Sequence, residues 1–329
     1  MSQAAVPKGF DPAAVGALEP SSGAAPGAGV GIAAGTTAMV FVGGSVSVSS
    51  LLSDAPLFTA QAVRYTIACL LLLGFARVLH RQVVAPRGAE WGWLLGVAVT
   101  GLVVFNIALV HGSRHAEPAV LGVAVACVPL ILAVVGPLLE RRRPSPLVLI
   151  AALVVTCGAV LVQGVGRSDG TGLAWAVLVL CCEVGFTLLA VPVLIRHGPW
   201  GVSVHATWLA AVVFAAVGVI HEGPTAAAQL EYQDLLAVGY LAVAVTAVAF
   251  VLWYSGVARL GAGRAGLLTG VAPLAAAASG IALGAPAPQP LVWVGIAVVV
   301  GGLALGLPTS RTPAPQRPGS GLRAPAGKS

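Results

Sequence analysis

One carboxylate stands alone in an apolar run. Glu183 lies in Leu180-Cys181-Cys182-Glu183-Val184-Gly185-Phe186, with no other Asp, Glu, Lys, Arg or His within ten residues on either side. A carboxylate at the middle of a bilayer is costly unless it is paired, hydrated or protonated, and such residues usually face a cavity. Glu183 is therefore the first candidate for binding and releasing a proton or for contacting a cationic group. The competing reading is a protonated acid hydrogen-bonded to a neighbouring helix. Arg64 is the second candidate. It could bind an anionic group such as a substrate carboxylate, pair with an acid in the core, or extend to the interface beside Asp54. Asn106, Trp253 and Tyr254 complete the candidate binding set. Asn106, like Gln163, also suits an interhelical hydrogen bond, and the two aromatics also suit an interfacial belt. Pro129 and Pro273 fall inside long apolar segments, where proline frees a backbone carbonyl and kinks the helix. They are candidate hinges in a cavity wall.

The elements that must position these residues are transmembrane helices. The chain of 329 residues is 58% hydrophobic and only 9% charged, and its mean hydropathy is +0.96, where soluble domains run near half apolar and a quarter charged. Its charges separate apolar runs of about 17–25 residues, the length of a helix crossing a ~30 Å hydrocarbon core. Ten such segments fall at roughly 29–51, 56–79, 92–111, 118–139, 146–165, 171–195, 203–221, 234–257, 264–284 and 291–308. Turn signals divide them, among them Pro86-Arg87-Gly88, Arg141-Arg142-Arg143-Pro144 and Gly198-Pro199. Unpaired backbone is not tolerated in lipid, so the segments are helices. The expected fold is an all-α integral membrane protein. Residues 1–27 and 309–329, rich in Pro, Gly, Ala and Ser, read as disordered tails.

Several function classes fall away. The cysteines and histidines lack metal-ligand spacing, and no P-loop, dinucleotide fingerprint or HExxH motif is present. No cofactor, metal or enzymatic activity is expected. The net charge of +6 lies at helix ends and in the tail without interleaved aromatics, which argues against nucleic acid. Both termini on the cytoplasmic side place Lys8, Arg77, Arg81, Arg87, Arg141, Arg142, Arg143, Arg196, Arg259, Arg264 and the four C-terminal tail cations inside.

Two stretches read as copies. Phe105, Gly112, Arg114 and Val128-Pro129-Leu130 are echoed by Phe250, Gly256, Arg259 and Ala272-Pro273-Leu274. Each lies in the third and fourth segments of a group of five. An odd number of crossings per copy inverts the second copy, so the expected architecture is ten transmembrane helices as two inverted five-helix repeats, residues 28–166 and 167–308.

The chain resembles the EamA-type branch of the drug/metabolite transporter superfamily. The residues carrying the likeness are Gln61-Ala62-Val63-Arg64-Tyr65, Val128-Pro129-Leu130 with Glu140, Ala249-Phe250-Val251-Leu252-Trp253-Tyr254, and Arg264-Ala265-Gly266 leading to Ala272-Pro273-Leu274. It departs from the family pattern at Gly284-Ala285-Pro286, where an acid often closes the ninth helix, and at Gly43-Gly44-Ser45 in the first. The resemblance implies a secondary transporter in a bacterial inner membrane. Such a protein is expected to export a small metabolite, amino-acid-like or drug-like compound by alternating access, and the lone Glu183 adds the expectation of protons as coupling ions. A non-transporting scaffold and a membrane enzyme acting on a lipid-linked substrate are the alternatives. The expected partners are a small molecule, protons and lipid, and the protein is a monomer or homodimer.

Overall fold

Apolar runs bounded by proline, glycine and charge become helices whose ends follow those signals. The computed structural model describes residues 27–45, 48, 52, 55–164, 166–282 and 289–307. Of the two compact units into which the chain divides, Gly27–Leu307 is the one described. The tail expectations, Asp54 and Gly284-Ala285-Pro286 all lie outside the described residues. Among the described residues eight helices are long and apolar enough to cross a membrane: α2 (Leu57–Val78), α3 (Glu90–Gly112), α4 (Pro118–Leu139), α5 (Pro146–Gln163), α6 (Gly170–Leu188), α7 (Val191–His221), α8 (Tyr232–Leu260) and α9 (Ala262–Ala282). Two shorter apolar helices flank them, α1 (Ala28–Gly44) and α10 (Pro290–Gly306). The chain is a multi-pass membrane protein.

Proline opens α4, α5 and α10 in the first turn, where its missing N–H costs nothing. Asp169 caps α6 by accepting from the Gly172 N–H at 2.7 Å. The sixth and seventh segments part at Gly198, where the Gly198-Pro199 turn signal stands. Helical structure resumes at Val191 after α6 and continues to His221, interrupted at Gly198. With φ 61° and ψ 178°, Gly198 holds a conformation that costs a residue with a Cβ dearly. The segment before that break continues α6, and the segment after it packs on α2.

Helix contacts follow a paired scheme. α1 packs on α8 and α9, α6 packs on α3 and α4, α4 meets α9, and α5 meets α10. Lipid supplies no hydrophobic drive between helices, so close approach of small residues does the work. A Cβ on Gly158 of α5 would stand 2.7 Å from the Val299 N and 2.9 Å from the Gly295 O of α10. Two π-helical segments, Ala98–Val104 in α3 and Leu241–Val248 in α8, interrupt the third and eighth helices. Two further breaks interrupt the fourth and ninth, at Cys127 and at the 3₁₀ turn Leu268–Gly270. These four irregular stretches surround one internal cavity.

Candidate functional site

The cavity measures about 140 Å³ and is lined by residues of α1, α2, α3, α4, α6, α8 and α9. Most of its lining falls into pairs related by one sequence offset. Met39 pairs with Glu183, Val42 with Phe186, and Gly101 with Val245. Phe105 pairs with Ala249, Asn106 with Phe250, Val125 with Thr269, and Val128 with Ala272. This register stands one residue away from the Phe105–Phe250 match suggested by residue type. Only Arg64, Tyr65 and Trp253 line the cavity without a partner lining residue at that offset. The geometry of the two walls is alike and their chemistry is not.

Glu183 projects from α6 into this space and takes part in no hydrogen bond or ion pair with another described residue. Beside it, Phe186 fills the wall. Its ring centroid lies 5.1 Å from those of Phe250 and Tyr254. Gly101 makes room for it: a Cβ there would come within 2.6 Å of the Phe186 Cγ.

Arg64 forms the other pole. Its side chain is buried, its Nε donates to Thr246 Oγ1 of α8 at 2.9 Å, and Nη1 donates to Gln61 Oε1 at 3.4 Å. It pairs with no carboxylate among the described residues. The Tyr65 ring lies beneath it, with Cζ 5.2 Å from the centroid. Asn106 lines the cavity, and its Nδ2 donates to the Tyr65 hydroxyl at 3.0 Å and to the Leu102 carbonyl at 2.6 Å.

The belt reading of Trp253 and Tyr254 is corrected, since they are 4% and 0% exposed. Trp253 lines the cavity while its Nε1 donates to Thr187 Oγ1 at 3.3 Å. Tyr254 lies behind the lining, its hydroxyl donating to the Phe186 carbonyl at 3.2 Å. Pro129 and Pro273 are buried and outside the lining. Each instead stands just after a helix break, and the residues before them, Val128 and Ala272, face the cavity. Met39, Phe186, Thr246 and Thr269 were not singled out from sequence. The constant offset was the signal that could have found Met39 and Phe186.

A second polar cluster lies at the end of the bundle where α3 begins. Glu90 Oε2 accepts from Arg196 Nη1 and lies 3.1 Å from His197 Nε2, tying α3 to the turn at Gly198. At the opposite end Glu222 accepts from the Phe58 and Thr59 N–H groups, each at 2.8 Å, and from Thr59 Oγ1 at 2.7 Å. These bonds satisfy donors that the start of α2 would otherwise leave open.

Helices crossing a membrane around a shared cavity lined by a carboxylate and a guanidinium define a solute-handling membrane protein. The sequence profile of the EamA-like transporter family matches residues 29–163 and again 170–307. The chain belongs to that family, within the drug/metabolite transporter superfamily. It is 30% identical over 281 residues to the "Uncharacterized transporter YetK" of Bacillus subtilis, covering 81% of this chain and 83% of that one. It is 26% identical over 225 residues to the "Probable terminal-alkyne amino-acid exporter" of Streptantibioticus cattleyicolor, covering 67% and 74%. A solved crystal structure of 21% identity superposes with a TM-score of 0.72 over 84% of this chain and 95% of its own, a likeness of fold.

Proposed function

We propose that this chain is a secondary exporter of a small metabolite, amino-acid-like or drug-like, working by alternating access in a bacterial inner membrane with both termini cytoplasmic. In this reading ten helices cross the membrane as two inverted halves, 28–166 and 167–308, that rock about the cavity. The double family match, the fixed offset of the lining residues and the charge distribution support it. Protons are the coupling ion, exchanged at Glu183.

The observation that carries the proposal is the unmet carboxylate of Glu183 in a cavity that also holds Arg64. A half-buried carboxylate within the bundle without a protein partner needs a proton, water or a cationic ligand. An amino-acid-like solute offers an ammonium to Glu183 and a carboxylate to Arg64. Exchanging that ammonium for a proton would couple movement to the gradient.

The test uses purified protein in proteoliposomes, with radiolabelled L-propargylglycine, a terminal-alkyne amino acid, and an imposed pH gradient. Saturable flux that follows the gradient in the wild type and not in Glu183→Gln is the expected result. Gradient-driven flux that survives Glu183→Gln sinks the coupling role. Absence of saturable flux in the wild type sinks the amino-acid-like reading.

A further inference from the structure

Arg64 can read a substrate's charge only if its guanidinium is held still, and the residue holding it comes from the other family match. Thr246 lies in the π-helical segment Leu241–Val248 and is 0% exposed. Its hydroxyl donates to the Leu241 carbonyl at 3.0 Å, five residues back, the spacing of the π turn itself. That bond commits the only hydroxyl proton, so Oγ1 can serve Arg64 solely as acceptor. It accepts from Arg64 Nε at 2.9 Å, across 182 residues of sequence. Gln61 takes one Nη1 proton, and Nη2 has no acceptor among the described residues. The guanidinium is thus fixed at its Nε edge and left open beyond it, on a residue that lines the cavity. At the same offset in the first match stands Leu102, which offers no such acceptor. The anchor exists on one side only.

We propose that Thr246 is a positioning residue for substrate selection: it aims the Arg64 guanidinium so that carboxylate-bearing solutes are preferred over the corresponding amines. This rests on the reading of the cavity as the transport site. The π segment has a role in it, because an α-helical register there would move Thr246 relative to Leu241 and turn the acceptor away.

The experiment compares uptake of L-propargylglycine with that of but-3-yn-1-amine, the same molecule without its carboxylate, in wild type, Thr246→Val, Thr246→Ser, Thr246→Ala and Arg64→Gln proteoliposomes. Loss of one hydrogen bond to a charged group predicts a KM for the amino acid raised about tenfold in Thr246→Val. Turnover is expected within about twofold of wild type, the KM for the amine unchanged, and Thr246→Ser restored to wild type. Equal losses for both solutes, or no rescue by serine, assign Thr246 a structural role and overturn the proposal. If valine prevents folding, alanine carries the same comparison, with the same outcomes deciding it. Arg64→Gln separates the two layers. If it abolishes the preference for the amino acid while Thr246→Val leaves it intact, positioning fails and the transport-site reading stands. If Arg64→Gln also leaves the preference intact, the reading of Arg64 falls and the proposal with it.

Discussion

The cavity and the surface groove between residues 113–118 and 167–169 are both lined by charged side chains, and the groove is the more open of the two. In the groove both carboxylates are paired. Arg167 Nε donates to Glu117 Oε1 at 2.8 Å, and Asp169 Oδ2 lies 3.1 Å from His115 Nδ1. Backbone bonds from Glu117 N to the Arg167 carbonyl and from Asp169 N to the His115 carbonyl clasp the two loops together. In the cavity Glu183 has no partner among the described residues, and Arg64 bonds Thr246 and Gln61 but no described carboxylate. On the proposed reading of the cavity as the transport site, the presence of charge alone does not mark it. Unmet bonding capacity in a low-dielectric chamber does, because there a ligand or proton is the remaining way to satisfy it.

The comparison breaks most sharply at Glu183. Glu183→Gln is expected to cut gradient-driven flux about a hundredfold, the scale set by losing a contact with a buried charge, while leaving the monodisperse protein peak intact on size exclusion. Met39→Lys supplies an ammonium from the opposite wall and makes the cavity resemble the groove. Flux should then fall at least about tenfold without loss of thermal stability, since a paired carboxylate no longer needs solute. A Met39→Lys protein that transports normally would show that unmet charge is not what the cavity uses.

Satisfied carboxylates should contribute stability instead. Glu222→Ala removes the cap on α2 and should cost about 1–2 kcal/mol, read as a lower unfolding temperature in detergent with the amino-acid preference unchanged. Glu117→Gln, which breaks an exposed ion pair, should move the unfolding temperature by no more than about two degrees and leave flux as it was. The smallest effect is a pH dependence at Asp169. Hydrogen bonds from the Gly172 N–H and from His115 hold its carboxyl below the usual aspartate range. A lowered folded-state pKa contributes stability that is present above the unfolded value, about 4, and lost as pH falls through the folded one. The gap in unfolding temperature between wild type and Asp169→Ala should therefore hold steady from pH 7 to about 5 and close below about 4.

The helices were legible because lipid imposes their length and forbids unpaired backbone. The fourth segment ends where its apolar run ends, at Pro118 and Leu139. Glu183 was legible for the same reason, as a group the solvent should have excluded. Trp253 and Tyr254 were not. An aromatic near a helix end has the same sequence signature whether it faces the interface or the core, and here both are buried. Arg64 allowed three roles until the neighbouring helices were in place.

Sequence alone determined the solvent of this protein, its run of apolar helices, the break at Gly198 and the isolation of one carboxylate. Tertiary structure decided which helix faces look inward and which polar groups meet. Arg64 finds Thr246 across 182 residues, and a π turn sets the angle at which it does so. In a soluble helix the apolar stripe announces the buried face. In lipid both faces are apolar, so inward and outward residues look alike along the chain, and only packing distinguishes a cavity wall from a surface bathed in hydrocarbon.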